Sequence, residues 1–264
     1  MQEENGIDSF KFDAGETSWL PQIPVLTGDL ELQPNLYTER YVNTVAQFGD
    51  MVEVRVGHHT QEEPIFVRML DKDSRWDIVN GLPTLITTLL EMNMVGYPHV
   101  LPDMVGGNGY NGAPSKELFI RWLEANVFMP AIQYSYVPWD YDNETVEICQ
   151  KYTKLHADYA PTIIKLLKRS VIDGTPANPP IWWIDPTDET AQEISDEFLL
   201  GEDILVAPVI VEGAVTRDIY LPRGVWKDEA TPANGLIVGP VWLRDYPAPL
   251  NVLPYFTRQP YLTG

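Results

Sequence analysis

The chain has 264 residues, of which 44% are hydrophobic, so a substantial core is expected and wholesale disorder is excluded. Eighteen Lys plus Arg against 38 Asp plus Glu leave a net charge of −20, which argues against nucleic acid or an anionic membrane surface as a partner. Cys149 is the only cysteine, which excludes an intrachain disulfide and a thiolate metal cluster.

In chain order, Ser9–Phe12 reads as a first strand, and it ends in Asp13-Ala14-Gly15-Glu16. Further strands are expected at Met51–Val56, Ile65–Leu70, Tyr97–Leu101 and Pro180–Ile184. Several are continuous apolar runs, as in buried parallel strands. Helices are expected over Leu82–Met94, after a Ser115 cap, from Asn143 to Leu155 with Pro161 interrupting before Ile163–Leu167, and over Asp188–Leu200. After Gly201 the period becomes that of strands, at Asp203–Val211, Val215–Leu221, Leu236–Trp242 and Val252–Phe256. The expected division is a β/α region over 1–202 and a small all-β domain over 203–264. No run of about 18 apolar residues that could span a bilayer occurs, and the acidic first residues do not resemble a signal peptide.

Three expected strands run into Asp13, Asp71 and Asp103, and a fourth into Asp185. Reactive groups in parallel α/β proteins lie at the carboxyl ends of strands. A pair of carboxylates there can divide the work of glycosidic cleavage, one attacking the anomeric carbon and the other protonating the leaving oxygen. The plainer reading of each Asp is a cap for the next helix. Arg55 suits either a salt bridge or a clamp on sugar hydroxyls. Trp76 suits either the core or the face of a sugar ring. His58 and His59 alternate across a strand if they lie on one, a poor metal arrangement. Gly106-Gly107-Asn108-Gly109 lacks the Lys-Ser/Thr of a phosphate loop and reads as a tight turn. Tyr134, Tyr136, Trp139 and Tyr141 either line a sugar site or pack a long loop.

Several segments together resemble glycoside hydrolase family 31. They are Phe10-Lys11-Phe12-Asp13-Ala14-Gly15-Glu16, Leu101-Pro102-Asp103-Met104-Val105-Gly106-Gly107, Arg121-Trp122-Leu123-Glu124 with Phe128-Met129-Pro130, Phe198–Pro208 and Tyr220–Trp226. Within the family they look like the myogenesis-regulating glycosidase branch. The resemblance implies the C-terminal part of a (β/α)8 TIM barrel, about strands four to eight, followed by a small β-sandwich. The earlier barrel strands and an N-terminal sandwich would lie outside this sequence.

By motif, the family's nucleophile falls on Asp13. Its acid/base, five residues before a Trp that opens a helix, falls on Asp71 ahead of Trp76, with Asp73 an alternative two residues on. The substrate-binding Arg sixteen residues before the acid/base falls on Arg55, and a pocket-rim Asp on Asp103. The resemblance implies retention of configuration, with the carboxyl groups about 5–5.5 Å apart, and no cofactor or metal. Lys11 stands where many α-glucosidases of the family have Trp, Ser135 where they have a substrate-binding His, and Leu70 where Gly is usual. The departures at Lys11 and Ser135 point away from ordinary glucosides towards the branch named above, whose resemblance implies α-galactoside hydrolysis, with Lys11 and Trp76 as further candidate substrate contacts.

Glucoside or xyloside hydrolysis, and sugar binding without turnover, are the rival readings. The expected partner is an oligosaccharide or glycoside, and an open barrel edge could also be covered by a homo-oligomer. The resemblance further implies the secretory pathway, with membrane anchoring through a part that this sequence does not contain.

Overall fold

The computed structural model describes residues 2–260, divided into two compact units. One takes the chain up to Leu70 together with His99–Leu101; the other takes Asp71–Pro98 and everything from Pro102 onwards.

In the first unit a short helix α1 (Gln2–Asn5) precedes strand β1 (Phe10–Lys11), helix α2 (Leu36–Ala46), β2 (Val52–Val54) and β3 (Phe66–Arg68). With β4 (Val100–Leu101) these strands form one parallel sheet in the order β1-β2-β3-β4. Its register pairs Lys11 with Glu53, Glu53 with Phe66, Val67 with Val100 and Arg68 with Leu101. One face is aliphatic: Val54, Val67 and Val100 are buried, as the pleat's two-residue period requires. The opposite face carries Lys11, Glu53 and Arg68, charged residues where a barrel interior is usually filled with branched aliphatics. Each strand is shorter than its apolar run in the sequence, because only two or three residues join the ladder before the chain turns off towards loop or helix.

The second unit contains helix α3 (Leu82–Met94), helix α4 (Lys116–Asn126), helix α5 (Asn143–Asp173) and helix α6 (Glu189–Glu193). Ser115 caps α4 as expected, its side chain accepting from the Leu118 N–H. The cap of α5 is Asp142 rather than Asn143, accepting from the Thr145 N–H, and the helix runs 31 residues through Pro161. The missing proline N–H costs one ladder bond. Burial of Ile148, Tyr152, Ile163 and Leu167 on one side keeps the helix continuous.

Strands β5 (Phe198–Leu200), β6 (Ile204–Val206), β7 (Thr216–Asp228), β8 (Leu236–Pro247) and β9 (Tyr255–Gln259) form an antiparallel sheet in the order β5-β6-β9-β7-β8. It covers a core that includes Leu199, Leu205, Leu221, Trp226 and Phe256.

Two expectations are corrected here. Pro180–Ile184 is not a strand: Ile181–Ile184 forms a 3₁₀ helix, with the Trp183 N–H on the Pro180 carbonyl at 3.0 Å. Prolines at 179, 180 and 186 supply no ladder donors, and Asp185 follows a helical turn instead of a strand. Asp188–Leu200 is not one helix: α6 ends at Glu193, and Phe198–Leu200 pairs with β6 in register Leu199 to Leu205. A short apolar run has no period that separates strand from helix.

Candidate active site

In the first unit β1 leads straight into a left-handed bend. Ala14 has φ +63° and Gly15 φ +95°. A Cβ on Gly15 would lie 2.5 Å from the Tyr41 ring and 2.8 Å from Val56, so the close approach admits no side chain. Ala14 holds a positive φ at an energetic cost of about 1–2 kcal/mol. The bend is held from α2: the Tyr41 hydroxyl donates to the Asp13 carbonyl and the Thr38 hydroxyl to the Gly15 carbonyl. Burial raises the Tyr41 phenol above its usual range and Asp13 adds to the effect, so this donor keeps its proton.

The bend projects Asp13, whose side chain is 64% exposed. The Arg55 Nε lies 3.2 Å from an Asp13 carboxylate oxygen and 2.6 Å from Glu16. Glu16 also accepts from the Trp19 indole N–H at 2.7 Å. Asp13 is therefore no helix cap; it is an accessible carboxylate steadied by a guanidinium that a second carboxylate holds in place. One rung away, Glu53 lies 3.7 Å from the Lys11 ammonium and 3.6 Å from Arg68. Burial pushes the Glu53 carboxyl above its ordinary range, while Lys11 and Arg68 oppose the shift. Glu53 escaped the sequence reading, although one charged residue between Val52 and Val54 signals a polar position inside an otherwise apolar strand.

The second unit holds the other predicted residues. Asp71 is partly exposed; the Tyr110 hydroxyl donates to its carboxylate, and the Asn80 side-chain amide to its carbonyl at 2.9 Å. Asp103 has no exposed surface and accepts from the Lys72 backbone N–H and from the Asn108 amide. It acts as a clamp within the fold, not as a surface open to a ligand. The Lys72 ammonium turns away to the Thr84 and Thr88 hydroxyls, at 3.0 and 2.9 Å, and burial lowers its pKa.

Trp76 does not open a helix. It lies in a turn closed by the Asp73 N–H on the Asn80 carbonyl and the Leu82 N–H on the Arg75 carbonyl, and α3 starts only at Leu82. The aromatic run packs a loop: Tyr141 stacks on Phe119 at 4.9 Å and Tyr134 bonds Thr153, although Trp139 remains exposed. His58 and His59 do not alternate across a strand. His59 has φ +52°, which brings the rings into a stack 4.0 Å apart.

Residues 70–166 match the profile described as "Glycosyl hydrolases family 31 TIM-barrel domain", and residues 174–262 match "Glycosyl hydrolase family 31 C-terminal domain". The mouse (Mus musculus) protein "Myogenesis-regulating glycosidase" is 41% identical over 95% of this chain, which covers 36% of that protein. "SITS-binding protein" from Tetronarce californica is 33% identical over 84% of the chain and 32% of its own length. The chain thus spans about a third of the length of these curated relatives. Among solved structures, a "GH31 family sulfoquinovosidase from E. rectale" superimposes with a TM-score of 0.82. It is 24% identical, over 97% of this chain and 41% of that one, and the likeness carries the fold alone. With both profiles matched and a 41% identical relative spanning nearly all of its length, the chain belongs to glycoside hydrolase family 31.

Proposed function

We propose that this chain carries both reactive carboxylates of a retaining α-glycosidase. The observation that carries the reading is the end of β1: an exposed Asp13 on a left-handed bend, steadied by Arg55 and Glu16. In the first step an Asp13 oxygen bonds to the anomeric carbon while the glycosidic C–O bond breaks, and Asp71 gives its proton to the departing oxygen. In the second step Asp71 takes a proton from water, the water oxygen bonds to the anomeric carbon, and the ester bond to Asp13 breaks. Arg55 clamps substrate hydroxyls, and Asp103 holds the chain beside Asp71 through the Lys72 N–H. Trp76 offers an apolar face to a sugar ring.

We assign the substrate class as α-galactosides. Lys11 brings a half-exposed ammonium with three donors for sugar hydroxyls, whereas a Trp at that position would offer a flat ring and a single indole N–H. Ser135 is exposed and small, so it offers no imidazole to the ring hydroxyls. Glucoside or xyloside hydrolysis is the alternative, and competing aryl glycosides compared by kcat/KM decide between them. Sugar binding without turnover is the other rival reading.

One substitution separates the readings. Asp13→Asn in the full-length protein is expected to lower kcat on an aryl α-galactoside by roughly three orders of magnitude or more while leaving ligand affinity and the circular dichroism spectrum unchanged. Turnover equal to the parent protein's would remove Asp13 as nucleophile; absence of turnover in both, with equal affinity, would favour the binding protein.

A further inference from the structure

We propose that Tyr110 is a positioning residue for Asp71, its phenol holding one carboxylate oxygen so that the other faces the glycosidic oxygen. The inference rests on the reading of Asp71 as acid/base and adds a residue that this reading did not contain.

The glycine loop ahead of Tyr110 is built for close approach to the segment that carries Asp71. The Asn108 N–H donates to the Lys72 carbonyl at 2.9 Å, and the Asn108 side-chain amide donates to the same oxygen at 3.1 Å. The Gly109 N–H donates to the Ser74 hydroxyl at 2.9 Å. Gly107 has φ +81°, and a Cβ there would lie 2.8 Å from the Ser74 nitrogen and 2.9 Å from the Asp73 carbonyl carbon. Gly109, at φ +67°, is closed off by the Tyr136 hydroxyl. Backbone against backbone, the loop is locked to residues 72–74, and the next residue places its hydroxyl on Asp71.

Asp73 and Arg75 share the Asp71 segment, and two further charges close to it are engaged elsewhere. Asp103 is occupied by the Lys72 N–H and Asn108, and the Lys72 ammonium by Thr84 and Thr88. The loop read from the sequence as a mere turn is thereby a mount for a hydrogen-bond donor.

A phenol donating to a carboxylate favours the ionised form. Removing the hydroxyl therefore moves the Asp71 titration upwards. Tyr110 is 63% exposed, so Tyr110→Phe in the full-length protein is expected to leave folding unchanged. Two readings are taken. The ¹³C titration of the Asp71 carboxyl, assigned by its loss in Asp71→Asn, is expected to rise by about one pH unit. The basic limb of the kcat/KM profile on an aryl α-galactoside, which reports the protonated acid, is expected to rise with it.

An Asp71 titration identical in the two proteins overturns the proposal whatever the activity. A shifted titration with an unmoved basic limb removes Tyr110 from the reaction. If Asp71→Asn also hydrolyses poorly activated glycosides at the parent rate, the acid/base reading itself falls; if it loses them, only the Tyr110 assignment does. Shifts in both readings support it.

Discussion

Glu197 shows at the scale of one residue how burial, more than any partner, sets a carboxyl's behaviour. It has no exposed surface. One oxygen accepts from the Tyr220 N–H at 2.9 Å and lies 3.4 Å from Arg217, while the other has no partner. Burial pushes its pKa up to about 8, against the pull of Arg217 and the Tyr220 N–H, with Asp196 adding to the rise. The sign follows from linkage. Between its ordinary value of 4.5 and about 8 the folded protein holds a proton that the unfolded chain has released. This contribution to stability is therefore complete at low pH and is lost as pH rises through that window. Glu197→Gln is expected to flatten that part of the dependence of Tm on pH, measured by scanning from pH 4 to pH 9; an unchanged slope would mean that Glu197 is ionised throughout. Asp13 makes the contrast: exposed, ion-paired and free of any capping duty, it was legible from the sequence as a strand-end carboxylate. Glu53, Tyr41 and Tyr110 were not, since each acts through a neighbour distant in the chain.

At the scale of elements, loops carry more of the site than strands do. The parallel strands pair over only two or three residues each, and the candidate carboxylates Asp13, Asp71 and Asp103 lie in the bends that follow. The left-handed turn at Ala14-Gly15 and the glycine loop from Gly106 to Gly109 are set by close approach, not by local preference. Gly107→Ala is expected to destabilise the protein by about 1–3 kcal/mol, because the new Cβ would meet backbone atoms of Asp73 and Ser74 that cannot rotate away. Denaturant titration measures this, and a midpoint equal to the parent's would show that the loop is looser than its contacts indicate. The elements that the sequence misassigned, Pro180–Ile184 and Phe198–Leu200, are short apolar runs. Their hydrogen-bond partners are decided by neighbours far along the chain, such as the Pro179 carbonyl, which accepts from the Leu199 N–H at 2.9 Å.

For the whole molecule, the segment Arg121-Trp122-Leu123-Glu124, one carrier of the family resemblance, has a structural duty. Arg121 is buried against Glu124 at 2.9 Å and donates to the carbonyls of Ala214, Ala248, Pro249 and Val252. Nearby, the Tyr152 hydroxyl donates to the Asn251 carbonyl and accepts from the Leu253 N–H. Helices α4 and α5 are thereby bolted to the turns of the antiparallel sheet. A closed barrel uses eight strands, and the parallel sheet among the described residues has four. We expect the purified 264-residue chain to show no turnover of an aryl α-galactoside by continuous assay, since four strands leave the barrel open; turnover would show that four strands suffice. By itself the sequence determined the family and the passage from parallel β/α to antiparallel β, and it marked Asp13 as a strand-end carboxylate, because strand ends and contiguous motifs are local patterns. Only the tertiary structure decided that Asp103 is an internal clamp, that Trp76 lies in a turn, and that Glu53 and Tyr110 stand beside Lys11 and Asp71. Burial and hydrogen-bond partnership are properties of residues brought together from distant parts of the chain, and no local pattern carries them.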